Sequence, residues 1–490
     1  MYSKDWISRW AMYSPEKVAI EELETGRSIT YAQLNRRANF LAEWMTKNLG
    51  LSKGDRVMVM AEHCIDYVTL FSIAQKTGII LVPVNYRLAA SEIDYLIKDA
   101  DPACLIVENK FADIAKALQV ELPRMELEML PEGESETFVP HAIHEDDPLF
   151  ILYTSGSTGF PKGAMYSHKM LLWNSLNTTQ SLEITADDHT VNCMPPFHTG
   201  GWNVLLTPML HRGATVCLMK KFDADRVLEQ IDKSNANLFM GVPTMLKMMA
   251  ESAAFQSCSL ASIRYFIVGG EALPLPVIHL WHERGVKIRQ GYGLTEVGPN
   301  ITSLHQEYAA QKIGSIGLPN FYVEYALLDD LGNQVPPGEV GEFCLKGPMV
   351  TPGYWKNPEA TAQSIVHGFF HTGDLVRQDA DGFLYIVDRK KCMFISGGEN
   401  VYPAEVERVL RELEVIDEAA VVGVKDPKWG EVGKAYLSIK SGMTYTKDGI
   451  IAHCQSRLAR FKVPRYLEIV NELPKNGSGK IDRKKLASLA

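Results

Sequence analysis

At 490 residues the chain is too long for a single ordinary domain and long enough for about three. Apolar residues make up 46% and charged residues 22% of it, the proportions of an ordinary globular protein. The 50 basic and 59 acidic residues give a net charge of −9, which argues against nucleic acid as the main partner.

The eight cysteines are scattered along the chain and form no Cys-x-x-Cys pair, so neither a zinc-binding nor a disulfide framework is indicated. The N-terminus lacks the apolar core of a signal peptide, and no apolar run approaches the ~18 residues that span a bilayer. We therefore expect a cytoplasmic protein without a transmembrane segment. A peripheral membrane contact and a homodimer both stay open.

The N-terminal part of the chain alternates helical and extended patterns. Ser14-Pro15-Glu16 and the segment from Thr30 to Leu34 predict helix starts, because a hydroxyl cap precedes helix-forming residues. Short apolar runs then predict parallel strands joined by crossover helices, at 56–60, 79–84 and 104–107. Residues 121–147 are acidic, contain proline and predict a surface connection.

A glycine-rich loop follows the apolar run 149–153, which predicts a buried strand. Glycines let the backbone turn its N–H groups inward around an anion, and hydroxyls add further donors. Lys162 contributes a positive charge, so we expect the loop to hold a polyphosphate. It is not a Walker A loop, because Gly163 follows Lys162 where that motif has Ser or Thr. Taken alone, the segment also fits a flexible surface loop.

The α/β alternation continues through the middle of the chain. A helix is predicted from 168 to 180, and strands are predicted at 191–194, 214–219, 238–242 and 263–268. From 313 to 390, glycines and prolines interrupt short apolar runs, which indicates an antiparallel β-rich subdomain. Pro403 in a first turn predicts another helix, and residues 391–490 have the pattern of a small α+β module.

Further polar motifs follow the glycine-rich loop. They are Gly269-Gly270-Glu271-Ala272, Gln290-Gly291-Tyr292-Gly293-Leu294-Thr295-Glu296, Thr372-Gly373-Asp374, Asp388-Arg389-Lys390-Lys391 and Pro474-Lys475-Asn476-Gly477-Ser478-Gly479-Lys480. Singly, each has a plain structural explanation, such as a packing tyrosine, an aspartate in a turn or a solvated lysine. In this order, together with the loop at 153–163, they resemble the signatures of the adenylate-forming enzymes: acyl-CoA synthetases, amino-acid adenylation domains and firefly-type luciferases. The resemblance extends from about Ser28 to Lys480.

This resemblance implies an α/β fold with a large N-terminal domain, residues 1–390, made of two α/β subdomains and a β-rich subdomain. A small mobile α+β domain, residues 391–490, would follow a hinge near Lys391. The implied reaction has two steps: a carboxylate and ATP give acyl-AMP and pyrophosphate, and the thiol of coenzyme A (CoA) then displaces AMP. A small-molecule carboxylic acid, ATP, Mg²⁺ and CoA are therefore the implied partners.

The matching motifs also imply residue roles. Lys480 is the implied catalytic lysine of adenylation, Glu296 the Mg²⁺ ligand, and Lys391 and His198 are further catalytic positions. The implied ATP and AMP contacts, which include Asp374 and Arg389 at the ribose, are Thr154, Ser155, Gly156, Ser157, Thr158, Gly159, Lys162, Gly270, Glu271, Ala272, Gly291, Tyr292, Gly293, Thr295, Asp374 and Arg389.

The segment after Phe197 bears on the acid and the acceptor. Amino-acid-activating relatives carry an aspartate where this chain has His198, so an acyl or aryl acid is implied. Trp202 matches a tryptophan that gates the acyl tunnel of some long-chain fatty-acyl-CoA synthetases, although a core tryptophan fits as well. The implied acyl contacts are His198, Gly201 and Trp202, and the implied CoA contacts are Gly397, Gly398, Trp429, Phe461 and Arg465, while Val463 replaces a basic residue of some aryl-CoA synthetases.

Three functions compete at this point. The first is a medium- or long-chain fatty-acyl-CoA synthetase, and the second is a ligase for an aromatic or o-succinylbenzoate-type acid. The third is a nucleotide-binding regulatory protein that has lost catalysis. The retained side chains of Lys162, Glu296, Asp374 and Lys480 argue against the third.

Overall fold

The computed structural model describes residues 4–154, 161–270, 273–396, 399–476 and 479–489. Within them the helices are α1 Trp6–Tyr13, α2 Tyr31–Asn48, α3 Ile65–Thr77, α4 Ala90–Ala100, α5 Ala112–Ala117, α6 His168–Ser181, α7 Leu206–Arg212, α8 Ala224–Ser234, α9 Pro243–Ala250, α10 Ala254–Ser257, α11 Leu275–Glu283, α12 Pro358–Ser364, α13 Pro403–Arg411, α14 Lys447–Arg457 and α15 Arg483–Ser488. None of the helices in these ranges is long and apolar enough to cross a membrane.

The strands of the same ranges follow in chain order. They are β1 Val18–Glu22, β2 Ser28–Thr30, β3 Arg56–Met60, β4 Ile80–Pro83, β5 Cys104–Val107, β6 Arg124–Glu126, β7 Pro148–Thr154, β8 Lys162–Ser167, β9 His189–Asn192, β10 Thr215–Leu218, β11 Leu238–Gly241, β12 Tyr265–Val268, β13 Ile288–Tyr292, β14 Thr302–Ser303, β15 Leu318–Pro319, β16 Glu324–Leu328, β17 Val340–Lys346, β18 Ile365–Val366, β19 Phe369–Gln378, β20 Leu384–Arg389, β21 Phe394–Ser396, β22 Glu399–Val401, β23 Ile416–Asp426, β24 Gly430–Ile439 and β25 Tyr466–Ile469.

Contacts divide the chain into two compact units. The first comprises residues 1–325 and 345–370, and the second comprises residues 326–344 and 371–490. Helices and strands mix in both, which confirms the predicted α/β class. The hinge near Lys391 concerns motion, so it stays a prediction.

Two sheets dominate the first unit. One has six strands in the order β6-β5-β3-β4-β7-β8, and the other has nine in the order β15-β14-β13-β12-β11-β9-β10-β1-β2. Helix α3 is buried at every residue except Asp66, so it is an interior helix, and its buried residues include polar ones such as Ser72 and Lys76. Its Phe71 ring lies 6.0 Å from the ring of Phe150 in β7 and 5.7 Å from that of Trp202. A continuous core therefore connects α3 with β7 and with the segment around Trp202.

The nine-stranded sheet brings several chain segments to one edge. Strands β9, β11, β12 and β13 are parallel neighbours, with Gly241 opposite Val268 and Val268 opposite Gln290. Parallel strands end at a common edge, and ligands of open α/β sheets bind just outside their carboxyl ends. The predicted motifs that start near Gly270 and Gly291 therefore begin at the same edge.

The second unit has its own sheet and core. Strands β22-β21-β24-β23 form the sheet, and β25 adds to it in parallel with β24. Val421 of the sheet strand β23 packs with Leu410 of α13 and Ile450 of α14 in one buried core. Strands β19 and β20 pair antiparallel in this unit, with Asp374 opposite Arg389.

Some sequence predictions of local structure were wrong. Ser14 does not start a helix: its backbone N–H donates to the Trp10 carbonyl at 2.8 Å and ends α1, and the apolar run from Val18 then forms β1. The strand predicted at 191–194 is β9, which spans His189–Asn192, and the Asn192 side chain at its end donates to the Gly201 carbonyl at 3.0 Å. The connection 121–147 contains the short strand β6, which pairs with β5.

Candidate active site

The two ends of the glycine-rich loop are held together by a hairpin. Strands β7 and β8 pair antiparallel, with Thr154 directly opposite Lys162. Both residues therefore sit at the mouth of the loop on a hydrogen-bonded ladder. The predicted phosphate contacts Ser155, Gly156, Ser157, Thr158 and Gly159 lie outside the described residues.

Glu296 lies at the same mouth, although it is 142 residues from Thr154 in the chain. Its Oε1 accepts hydrogen bonds from the Thr154 hydroxyl at 3.2 Å and from the Tyr354 hydroxyl at 3.0 Å. The ammonium nitrogen of Lys162 lies 5.4 Å from the centre of the Tyr354 ring. Two predicted motifs, the loop at 153–163 and the segment ending at Glu296, are thus brought together around one carboxylate.

The electrostatics of this cluster suit a hard cation beside phosphate. Glu296 is 7% exposed, so its carboxylate is largely removed from water. Burial, and then the neighbouring Glu296 charge, raise the pKa of the Tyr354 hydroxyl, which stays protonated as a hydrogen-bond donor. Both donors use Oε1, and no other described side chain bonds Oε2. A carboxylate with one oxygen still available fits Mg²⁺, which prefers oxygen ligands and takes few from protein.

Gly270 and Gly293 belong to the two motifs at the carboxyl edge of the nine-stranded sheet, and each position requires glycine for a different structural reason. Gly270 has φ +86°, a left-handed conformation that favours glycine. A Cβ on Gly293 would lie 1.5 Å from the Pro299 carbonyl oxygen, so no side chain fits there. Tyr292 and Thr295, on either side of Gly293, are half-buried. Glu271 and Ala272 lie outside the described residues.

The predicted acyl segment is built tightly around Gly201. A Cβ there would lie 2.2 Å from the Pro195 carbonyl oxygen, which only glycine allows. His198 is half-buried beside Phe197, with ring centres 4.6 Å apart. Trp202 has no exposed surface, and its indole N–H donates to the Pro196 carbonyl at 2.8 Å. Trp202 is therefore a fixed part of the core in this structure.

In the second unit, Asp374 and Arg389 form the pair that the sequence predicts at a ribose. The Arg389 Nε lies 2.5 Å from the Asp374 Oδ1, and the aspartate side chain is 4% exposed against 50% for the arginine. The preceding Gly373 has φ +69° and donates its N–H to Glu342 Oε1 at 3.1 Å. The turn that presents Asp374 is thus anchored by a carboxylate from β17.

The two predicted catalytic lysines of the second unit are exposed. Lys391 follows β20 in a tight turn, in which the Cys392 N–H donates to the Arg389 carbonyl at 2.8 Å. Lys480 closes a turn with Asn476, whose backbone N–H donates to the Lys480 carbonyl at 2.8 Å. Backbone turns therefore fix the positions in the chain from which the two lysine side chains extend.

Trp429, one of the predicted CoA contacts, lines a groove of about 800 Å³ together with Ile395 and Asp426 among others. Trp429 is 42% exposed and donates its backbone N–H to Asp426 Oδ1 at 3.0 Å. Arg465 reaches the same carboxylate, with 3.7 Å between Nε and Oδ2. Phe461 is 36% exposed. Gly397 and Gly398 lie outside the described residues, so these five assignments stay predictions.

Sequence reasoning missed Tyr354 and Glu342. Tyr354 stands in Thr351-Pro352-Gly353-Tyr354-Trp355, a segment that runs beside β8 because the Trp355 N–H donates to the Gly163 carbonyl at 2.7 Å. The aromatic pair after a glycine was the available signal, but the sequence pattern showed only a β-rich region. Glu342 gave no signal, since a single glutamate in a strand pattern is usually a surface charge.

Comparison with known proteins agrees with this geometry. The family model "AMP-binding enzyme" matches residues 7–355, and "AMP-binding enzyme C-terminal domain" matches residues 405–480. A feruloyl-CoA synthase from Amycolatopsis sp. is 38% identical over 97% of this chain and 96% of that protein. An indoleacetate–CoA ligase from Aromatoleum aromaticum is 36% identical over 98% and 96%.

A solved structure adds a full-length match in three dimensions. The o-succinylbenzoate CoA synthetase of Bacillus subtilis, in complex with its acyl-adenylate intermediate, superposes with a TM-score of 0.90 at 30% identity and covers 98% of this chain and 97% of that one. The chain belongs to the AMP-binding enzyme family. The predicted class, an AMP-forming acid–CoA ligase that uses ATP, Mg²⁺ and CoA, is confirmed, and the prediction of a fatty acid as substrate is not.

Proposed function

We propose that this ligase activates an aryl-bearing carboxylic acid as its acyl-AMP and transfers the acyl group to CoA. The observation that carries adenylation is the meeting of Thr154, Lys162 and Glu296 at one loop mouth. The three side chains supply a hydroxyl donor, a cation for phosphate and a ligand for Mg²⁺. That combination suits the triphosphate of ATP.

In the first step a substrate carboxylate oxygen attacks the α-phosphorus of ATP, and the bond to the pyrophosphate oxygen breaks. Lys162 holds phosphate oxygens, and Glu296 holds Mg²⁺, which when bound neutralises charge on those oxygens. Lys480 binds the carboxylate and the α-phosphate as charge shifts between them. Asp374 accepts hydrogen bonds from the ribose hydroxyls, and Arg389 holds that carboxylate in orientation through the contact at 2.5 Å.

In the second step the CoA sulfur attacks the acyl carbonyl carbon, and AMP leaves with the phosphate oxygen. The thiol proton passes to solvent or to the leaving phosphate. We assign Trp429, Phe461 and Arg465 to the CoA nucleotide, and Lys391 to the hinge that exchanges one set of groups for the other. Such an exchange is reasonable because the two steps need different groups over the same reacting carbon.

The choice of an aryl acid rests on Trp202 and on the names of the relatives. A long acyl chain would need Trp202 to act as a movable gate, whereas here the residue is fully buried and hydrogen-bonded. Its ring lies 5.1 Å from those of His63 and Tyr67, at steep angles. The relatives described above are named for feruloyl, indoleacetyl and o-succinylbenzoyl groups, all of which contain an aromatic ring.

An acid panel tests this proposal. ATP–pyrophosphate exchange is measured with ferulate, indoleacetate, o-succinylbenzoate and straight-chain acids from hexanoate to palmitate. We expect an aryl acid to give the highest kcat/KM, and thioester to form only when CoA is added. A straight-chain acid that exceeds every aryl acid would overturn the aryl assignment, and exchange with no acid at all would overturn the ligase assignment.

A further inference from the structure

A cluster of three different metal-ligand types lies within the second unit and contains none of the residues assigned to Mg²⁺. Glu342 and Cys344 are two residues apart on β17, so both side chains point to the same face of the strand, and His371 comes from β19. Their ligand atoms all lie within 4.8 Å of one another. We call Glu342, Cys344 and His371 the three-ligand cluster.

The spacing in the cluster matches that of ligands around one small cation. The Cys344 Sγ lies 3.4 Å from the His371 Nδ1, and that nitrogen lies 3.2 Å from the Glu342 Oε2. Tetrahedral zinc with ordinary bond lengths separates S and N ligands by about 3.6 Å and N and O ligands by about 3.3 Å. The sulfur–nitrogen and nitrogen–oxygen distances in the cluster are therefore within a few tenths of an ångström of those around one zinc ion.

The surroundings leave these atoms available for coordination. Glu342 uses Oε1 for the Gly373 N–H, so its role in the Asp374 turn does not occupy Oε2. Lys390 does contact Oε2, with 3.1 Å between the atoms, but its ammonium nitrogen also lies 2.8 Å from Asp330 Oδ1. A cation at the cluster can therefore displace Lys390 towards Asp330 without leaving the lysine unpaired.

Burial favours a specific site over a loose surface contact. Cys344 is fully buried and Glu342 is 8% exposed. The His371 side chain is 27% exposed, which gives solvent access on one side for a fourth ligand. A thiolate, an imidazole and a carboxylate together select soft or borderline cations over Mg²⁺, which takes oxygen ligands.

We propose that Glu342, Cys344 and His371 bind one thiophilic divalent cation of the Zn²⁺ class, at a site separate from the Mg²⁺ site of the reaction. Coordination forms bonds from the metal to the sulfur, to Nδ1 and to Oε2, and a solvent molecule takes the fourth position. The thiol proton is released to solvent, so no oxidant or other reactant is needed.

Cobalt alone is the first probe, because Co²⁺ bound to a thiolate gives a charge-transfer absorption that Mg²⁺ and Zn²⁺ complexes lack. The chelator-treated full chain is titrated with Co²⁺, and the absorption should saturate at one equivalent. Zn²⁺ should then displace the cobalt and bleach the absorption, and a large excess of Mg²⁺ should not. No thiolate absorption in the wild-type chain would overturn the proposal.

Two variants locate the site. Cys344→Ser should abolish the absorption and weaken Zn²⁺ binding by about 100-fold or more, judged against the 10- to 100-fold cost of losing even an outer-shell group. Cys392→Ser is the matched control, since Cys392 is a half-buried thiol of the same unit outside the cluster, and it should keep the absorption. Absorption that persists in Cys344→Ser, or that disappears in Cys392→Ser, would refute the assignment.

If Cys344→Ser does not fold, His371→Gln tests whether the three-ligand cluster binds the cation. The glutamine amide can still hydrogen-bond Glu342 but is a poor ligand for zinc. We expect it to weaken Zn²⁺ binding, measured by calorimetry, with an unchanged far-ultraviolet circular dichroism spectrum. Unchanged Zn²⁺ affinity in this variant would exclude His371 as a ligand and with it the three-ligand site.

Discussion

At the scale of single residues, Glu296 depends on two hydroxyl donors. Tyr354→Phe removes the one at 3.0 Å, and we expect it to lower kcat/KM for adenylation about tenfold, because a buried carboxylate that loses a donor loses orientation. The Mg²⁺ concentration needed for half-maximal rate should rise. The measurement is an Mg²⁺ titration of ATP–pyrophosphate exchange.

Tyr31→Phe is the matched control for Tyr354→Phe. The Tyr31 hydroxyl is also buried, and it donates to the Ala214 carbonyl at 2.7 Å, far along the chain from Glu296. Both variants should lose about 1 kcal/mol of stability from one hydrogen bond. Only Tyr354→Phe should change the Mg²⁺ titration, and equal effects of the two variants on that titration would rule out the positioning role.

Gly293 offers a second prediction at this scale. The Cβ of Gly293→Ala would lie 1.5 Å from the Pro299 carbonyl oxygen, so the backbone must move and about 3 kcal/mol or more of stability should be lost. Gly269→Ala is the control, since its Cβ would meet the Gly291 carbonyl oxygen at an ordinary 3.7 Å. Thermal unfolding compares the two, and a Gly293→Ala melting temperature as high as that of Gly269→Ala would contradict the clash.

Some residues of the candidate site could be recognised from the sequence, and one could not. Lys162 and Glu296 were recognised because each stands in a motif of glycines and polar residues, and the order of those motifs along the chain resembles that of a known family. Tyr354 was missed since its meaning comes from a contact 58 residues away in the chain. A long-range contact of this kind leaves no periodic or local pattern in the sequence.

At the scale of elements, the N-terminus of α2 was predicted correctly and has a clear cause. The Thr30 hydroxyl accepts from the Gln33 N–H at 3.2 Å, and the Gln33 side chain accepts from the Thr30 N–H at 2.9 Å. Ser14 also carries a hydroxyl, and Pro15 follows it, but Ser14 ends α1 instead of starting a helix. The difference is that no amphipathic run follows Ser14, whereas α2 buries one face along its length.

These caps give a paired prediction. Thr30→Ala should cost about 1 kcal/mol, because it removes a side-chain cap from α2. Ala89 caps α4 without a side-chain acceptor, although Glu92 already accepts the Ala89 N–H at 2.8 Å, so Ala89→Ser should complete the reciprocal pair and gain about 0.5–1 kcal/mol.

Hydrogen exchange measures both changes locally. Amides in the first turn of α2 should exchange faster in Thr30→Ala, and those in the first turn of α4 should exchange more slowly in Ala89→Ser. Each variant serves as the control for the other helix. Unchanged exchange in the altered helix would show that its end is fixed by packing alone.

At the scale of the whole molecule, the order of motifs along the chain identified the family, and the α/β class followed from the same pattern. The identity of the acid did not follow, because the sequence left Trp202 equally compatible with a gate and with a core residue. The structure adds the packing around Trp202, with His63, Tyr67 and Phe71 as neighbours, and the proposal of an aryl acid rests partly on that packing.

The proposed division of labour between the two steps predicts a split phenotype. Lys480→Ala should slow adenylation by about 10²–10³-fold while thioester formation from supplied acyl-AMP stays near the wild-type rate. The turn itself should persist, because Asn476 Oδ1 accepts the Lys480 backbone N–H at 3.1 Å and the Asn476 N–H donates to the Lys480 carbonyl, bonds that an alanine keeps.

Single-turnover kinetics of both half-reactions measure this split. Lys485→Ala, which removes another exposed lysine from the same C-terminal segment, is the control and should leave both rates unchanged. Equal loss of the two half-reactions in Lys480→Ala would assign the lysine to binding common to both steps.

The pairing of Thr154 with Lys162 has a consequence for how such an enzyme can change over time. The ladder fixes the two ends of the segment 155–161 about 5 Å apart, independent of the residues between them. Insertions or exchanges in that segment therefore leave β7, β8 and the core beneath them in place. Exchanges in the phosphate-binding segment can therefore abolish catalysis while the scaffold that carries the segment stays folded.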